Sequence, residues 1–127
     1  MKYLVVTNNP LVKEEFEDCL LVEGSFLDVL IKVRDLIHNG MKLASHPLGA
    51  SVRMLFSPYR SIVVQKGEEE IKDYYVEIIE NSIISYKKHM NMRNVDEGNS
   101  YSYALMDKEL LYSTFKNLGI SSISEFV

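Results

Sequence analysis

The feature that most constrains this chain is an alternation packed into its first forty-five residues: Tyr3-Leu4-Val5-Val6, Cys19-Leu20-Leu21-Val22-Glu23 and Met41-Lys42-Leu43-Ala44-Ser45 read as strands, separated by two helical patterns. Short runs of β-branched, aromatic and aliphatic residues favour enclosed strands. The first run breaks into Thr7-Asn8-Asn9-Pro10, where Asn9 can cap the next helix and Pro10 suits its first turn, because the N–H that proline lacks has no partner there. That helix extends to about Asp18, with Val12 and Phe16 four apart on one face. The second run stops at Gly24, and its lack of strict alternation suits a strand buried on both faces. Ser25-Phe26-Leu27-Asp28 then has the spacing of a capping box and opens a helix that Asn39-Gly40 ends. Its apolar face, centred on Phe26, Val29, Leu30, Val33 and Ile37, is broad enough to imply deep burial or self-association.

Strand, helix, strand, helix, strand predicts a single α/β domain: a three-layer, Rossmann-like sheet of about four strands, mostly parallel, with helices on both faces. Ser61-Ile62-Val63-Val64-Gln65 supplies the fourth strand. Its direction is open, since a parallel strand needs a loop that crosses the sheet whereas an antiparallel one simply returns. Before it, the segment from His46 to Arg60 carries Pro47, Gly49 and Pro58 and no convincing helix; Ala50 to Leu55 could form a short extended piece. Helical spacing runs from Glu68 to about Met90. Turn chemistry at Asn94, Asp96, Gly98 and Asn99 predicts a mobile connection over about 93–106, after which Asp107 would cap a last helix ending at Gly119. One further turn of helix is expected in the tail.

A chain of 127 residues supports one core and no second ordinary domain. The 14 basic and 18 acidic side chains give a net charge of −4, which argues against the basic face that nucleic-acid binding needs. No apolar run is long enough to span a bilayer and no secretory signal is visible, so the expectation is a cytoplasmic protein without a membrane role. The lone Cys19 fits a reducing compartment.

In open α/β sheets, ligands bind beyond the carboxyl ends of the strands, where loops meet helix N-termini. Three polar turns fall there: Asn8 and Asn9, Glu23 and Ser25, and Ser45 and His46. If the fourth strand is antiparallel, Tyr59 and Arg60 join them. These eight residues are the candidate ligand-binding set. Each has a plainer reading. The asparagines and Ser25 also suit turns and caps, Glu23 suits a solvated loop, and Arg60 or Arg53 suits a surface ion pair as well as a clamp on a carboxylate or phosphate. His46 could titrate near neutral pH, bond a ligand, or bond a loop carbonyl. No dinucleotide, P-loop, C-x-x-C, zincin or nucleophile-elbow motif is present, the histidines lack metal-ligand spacing, and neither cofactor nor metal is expected. Catalytic residues are not identifiable, and the balance leans away from an enzyme.

Several of these stretches resemble one small family. Tyr3 to Pro10, Val22 to Leu30, Val33 to Gly40, Ser45-His46-Pro47-Leu48 and Pro58 to Ile62 are similar to the GrdX family over roughly the first two thirds of the chain. The resemblance implies a protein encoded with the selenium-dependent glycine reductase of anaerobic amino-acid-fermenting bacteria, with no catalytic residues to carry over. It therefore implies an accessory or regulatory protein whose partners are glycine reductase components. The residues themselves offer the alternative of a binding protein or enzyme for a small anionic carboxylate or phosphate at the strand-end loops. A third reading is a homo-oligomer with a structural role.

Overall fold

Alternation along the first strand sorts the core into two halves. The computed structural model describes residues 2–49, 52–67, 72–120 and 125–126. Strand β1 (Tyr3–Thr7) sends Tyr3 and Val5 to one face, with Val63 of β4 (Ser61–Gln65); Leu4 and Val6 go to the other, with Ile62 and Val64. Helices α1 (Pro10–Glu15) and α4 (Ser100–Leu118) cover the first face, and α2 (Phe26–His38) and α3 (Asp73–His89) cover the second. Val5, Val6, Ile62, Val63 and Val64 are fully buried, and complete burial of a side chain of this size contributes about 1.5–3 kcal/mol. The central pair β1 and β4 is thus the floor of both cores.

The sheet order is β2-β1-β4-β3, with β2 at Cys19–Leu21 and β3 at Lys42–Leu43. β1 pairs with β2 in parallel, while β4 runs antiparallel to both β1 and β3. The expectation of a mostly parallel, Rossmann-like sheet is therefore corrected: the sheet is open and mixed, with one parallel and two antiparallel pairings. Apolar runs mark where strands are and carry no direction. The connection from β3 to β4 returns to the sheet at the edge it left, so β4 enters between β1 and β3 pointing the opposite way. As a result the carboxyl ends of β1, β2 and β3 and the amino end of β4 share one edge.

The expected burial of the second strand on both faces also fails. β2 is an edge strand of three residues, and Leu21 is exposed. By contrast α2 follows its sequence signals closely. Ser25 Oγ accepts from the Asp28 N–H while the Asp28 carboxylate accepts from the Ser25 N–H, a reciprocal cap that typically contributes about 1 kcal/mol. Its broad face is buried, with Phe26 stacked on Tyr86 of α3 at 4.6 Å between ring centres.

Two further boundaries differ from expectation. The 50–55 stretch, read as extended, contributes to a 3₁₀ turn, Val52–Phe56, with residues 50 and 51 outside the described set. The turn-rich 93–106 segment holds a second 3₁₀ turn at Glu97–Asn99, and α4 begins at Ser100, seven residues before the expected cap at Asp107. Asp107 is 1% exposed in the body of that helix. The helix ends at Gly119, whose φ of +74° is the left-handed conformation glycine adopts at no steric cost. The proposed start of α3 at 68–71 and the tail helix at 121–124 lie outside the described residues; Phe126 bridges to Tyr3 and packs on Phe16 and Phe115. No described helix is long and apolar enough to cross a membrane.

Candidate functional site

The shared strand edge is held together from within by a buried polar network. Thr7, Asn9, Ser61 and Asp107 are all nearly or fully inaccessible. Ser61 donates to Asp107 through its backbone N–H at 2.9 Å and its hydroxyl at 2.6 Å, and Asn9 Nδ2 donates to the same carboxylate at 3.0 Å. Because the Ser61 hydroxyl is committed to Asp107, the 2.7 Å contact between Thr7 and Ser61 has Thr7 as donor; Thr7 Oγ1 in turn accepts from the Asn9 N–H at 3.0 Å. Every partner of Asp107 here is a donor, which suits an acceptor-only carboxylate. The network fastens α4 to β1 and β4, and Lys108 and Tyr112 reinforce it at the surface by bonding Glu15 of α1.

Asn9 is thus occupied on all sides. Its Oδ1 caps α1 at the Leu11 N–H and its Nδ2 bonds Ala104 O and Asp107. Asn8 is equally committed, donating to Gly24 O and Pro58 O and accepting from the Arg60 N–H. Both asparagines act as ties between turns, and Asn9, at 0% exposure, is out of a ligand's reach. Ser25 is engaged in its capping box and borders a cleft with Pro58 and Tyr59. Asn8, Glu23 and Tyr59 meet at an open, largely apolar cleft with Leu21 and Val22. The eight candidate residues therefore do not converge on one cavity.

Three of them do. Ser45, His46 and Arg60 line a cavity of about 260 Å³ that the sheet edge forms with α4. The opposite wall is Leu110, Ser113, Thr114 and Asn117, spaced three and four apart on one face of the helix. Arg60 is only 6% exposed. Its Nε donates to Pro47 O at 2.8 Å and its Nη2 to His46 O at 2.7 Å, so backbone carbonyls occupy one edge of the guanidinium. Among the described residues, Nη1 has no hydrogen-bond partner and no carboxylate lies within ion-pair distance of Arg60. Burial pushes Arg60 below the ordinary guanidinium value, opposed by the more distant charge of Asp107, yet an arginine remains protonated.

Gly49 lets the turn pack closely against the guanidinium. Its φ is +73°, and a Cβ there would stand 3.3 Å from Nη2 and 3.4 Å from Nη1. At the rim, His46 Nδ1 accepts from the Leu48 N–H at 3.1 Å, which places the proton of the neutral ring on Nε2. Partial burial, and then the positive charge of Arg60, lower the His46 pKa from its ordinary value. Ser45 Oγ accepts from the Val63 N–H at 2.9 Å, leaving its own proton free to donate. The cavity therefore offers a fixed positive charge and neutral donors, an arrangement that favours an oxyanion.

The other histidines are elsewhere. His38 lies 3.6 Å from Glu80 between α2 and α3, and His89 stands edge-on to Phe56. Among the described residues, no group of His, Cys, Asp and Glu is arranged to hold a metal ion. Two parts of the site escape sequence reading. The α4 wall does, although Ser113, Thr114 and Asn117 form a small polar stripe beside the apolar one. So does Asp107, whose signal is a carboxylate lying in line with the buried Ala104 and Leu111.

Fold and site together define a small α/β protein with an open mixed sheet and a cationic cavity at its strand-end edge. Residues 4–116 match the model of the GrdX-like protein family, and the chain belongs to that family. The match extends well past the two thirds over which the resemblance was read. No curated protein and no solved structure matches the chain.

Proposed function

We infer that this GrdX-like protein binds a small anionic metabolite, a carboxylate or phosphate, and works as a non-catalytic accessory or regulatory protein of selenium-dependent glycine reductase. The observation that carries the ligand reading is Arg60: a buried guanidinium facing a cavity, tied among the described residues to backbone carbonyls alone, with no described carboxylate within ion-pair distance. Removing a charge from water is costly unless it is paired, and an entering oxyanion would supply that pair. Association with glycine reductase is supported by the family name alone. Recovery of reductase components with the tagged protein from cells that express them would support it, and their absence together with unchanged reductase activity in a deletion strain would refute it.

The ligand reading is tested by calorimetric titration with phosphate, acetate and propionate. At least one should bind saturably. Ser113 is an exposed residue on the cavity wall, so Ser113→Glu should fold normally while placing a negative charge in the cavity. It is expected to weaken binding at least about tenfold, the effect of roughly 1.4 kcal/mol of repulsion in a partly screened site. Absence of saturable binding to all three anions, or equal binding by Ser113→Glu, would overturn the assignment.

A further inference from the structure

We propose that the molecule held at Arg60 is an aliphatic monocarboxylate, its head in the Arg60 cavity and its hydrocarbon chain lying along α4 over Met54, Leu105, Met106 and Leu110. The proposal rests on the anion reading above and narrows it. The head is defined by what the guanidinium has left to give. Nε and one proton of Nη2 are taken by Pro47 and His46 carbonyls, which leaves the Nη1 and Nη2 end as a two-donor fork matched to the two oxygens of a carboxylate. Among the described residues, Arg60 is the one charged side chain lining the cavity besides the titratable His46, and the neutral His46 ring adds a donor without a second charge. Arg60 supplies a single positive charge and already feels the more distant Asp107 carboxylate, so a singly charged head suits the site better than a phosphate dianion. Among the described residues no acidic side chain lines the cavity, so the ammonium group of an amino acid would find no ionic partner among them.

The tail is defined by what adjoins the cavity. Met54 and Leu110 belong both to the Arg60 cavity and to a second groove of about 380 Å³, whose remaining walls are Leu105, Met106 and Glu109. The groove is apolar apart from Glu109. Met106 is 45% exposed and Leu110 43% exposed, so an alkyl chain there would cover apolar surface now facing water. Methionine side chains also adapt readily to a flexible chain. Glu109 repels a second anionic group, which fixes the direction: carboxylate toward Arg60, hydrocarbon toward Met106.

The test is a titration series on the intact protein with propionate, butyrate, pentanoate and hexanoate, alongside inorganic phosphate and butyl phosphate. Affinity should rise about two- to fourfold per added methylene, as expected for burying each CH₂ in whole or in part, and butyrate should bind more tightly than butyl phosphate. Met106→Gln, a substitution at an exposed helical position, should flatten the dependence on chain length. Equal affinity across the alkanoates, with propionate binding, would overturn the tail and leave the anion site standing. Tighter binding of butyl phosphate than of butyrate would overturn the carboxylate head, and an undiminished chain-length dependence in Met106→Gln would overturn the placement of the chain. Failure of every anion in the series would remove the anion site as well.

Discussion

Asp107→Asn is expected to destabilise the protein by about 3 kcal/mol, the range seen when one partner of a buried charged network is removed. The carboxylate meets the Ser61 N–H at one oxygen and the Ser61 hydroxyl and Asn9 Nδ2 at the other. In one orientation an amide would set its NH₂ against the Ser61 N–H. In the other it would face Asn9 Nδ2, which cannot turn over because Asn9 Oδ1 holds the Leu11 N–H. Neither orientation satisfies all the donors. The change also removes the negative charge that most favours the charged form of Arg60. Urea denaturation should show a large drop in midpoint; a loss below about 1 kcal/mol would mean that the network does not fasten α4 to the sheet.

Arg60→Lys should lower stability by about 2 kcal/mol and weaken anion binding at least about tenfold, although the charge is kept. A lysine ammonium is a point charge without the planar fork. It cannot reproduce the paired bonds to Pro47 O and His46 O while holding further donors toward the cavity. Those carbonyls close the turn that carries His46 and Gly49, so the substitution loosens one wall of the cavity as well as its charge. Calorimetry on the variant, at a temperature where circular dichroism shows it folded, reads the binding loss separately from the stability loss. Binding equal to wild type would place the anion elsewhere.

Much of this architecture is legible in the residues, for reasons that can be named. The capped start of α2 at Ser25, its end at Asn39 and Gly40, and the central strands β1 and β4 follow from local chemistry that does not depend on the rest of the chain. The strand-edge principle also brought Ser45, His46 and Arg60 to one end of the sheet. Strand direction is different, because the residues of β4 would fit a sheet in either sense, and only the path of the preceding loop decides. Edge strands are misjudged too: Val22 and Met41 look like strand residues, yet β2 and β3 are shorter than their apolar runs. Asp107 is the most instructive case. An aspartate before an apolar helical stripe ordinarily caps a helix, and here its partners are Asn9 and Ser61, 98 and 46 residues away in sequence. No local pattern announces such a network. Arg60 likewise reads as a surface ion pair until the turn around Gly49 is seen to bury it.

The most direct measurement of the central claim is a nitrogen-detected NMR titration of the Arg60 guanidinium with propionate, assigned by comparison with Arg60→Lys. Arg60 is predicted to show saturable shifts concentrated in its Nη signals, with little movement at Nε, because Nε already donates to the Pro47 carbonyl. Nη and Nε signals that stay in place while propionate is raised to saturating concentration would contradict the account.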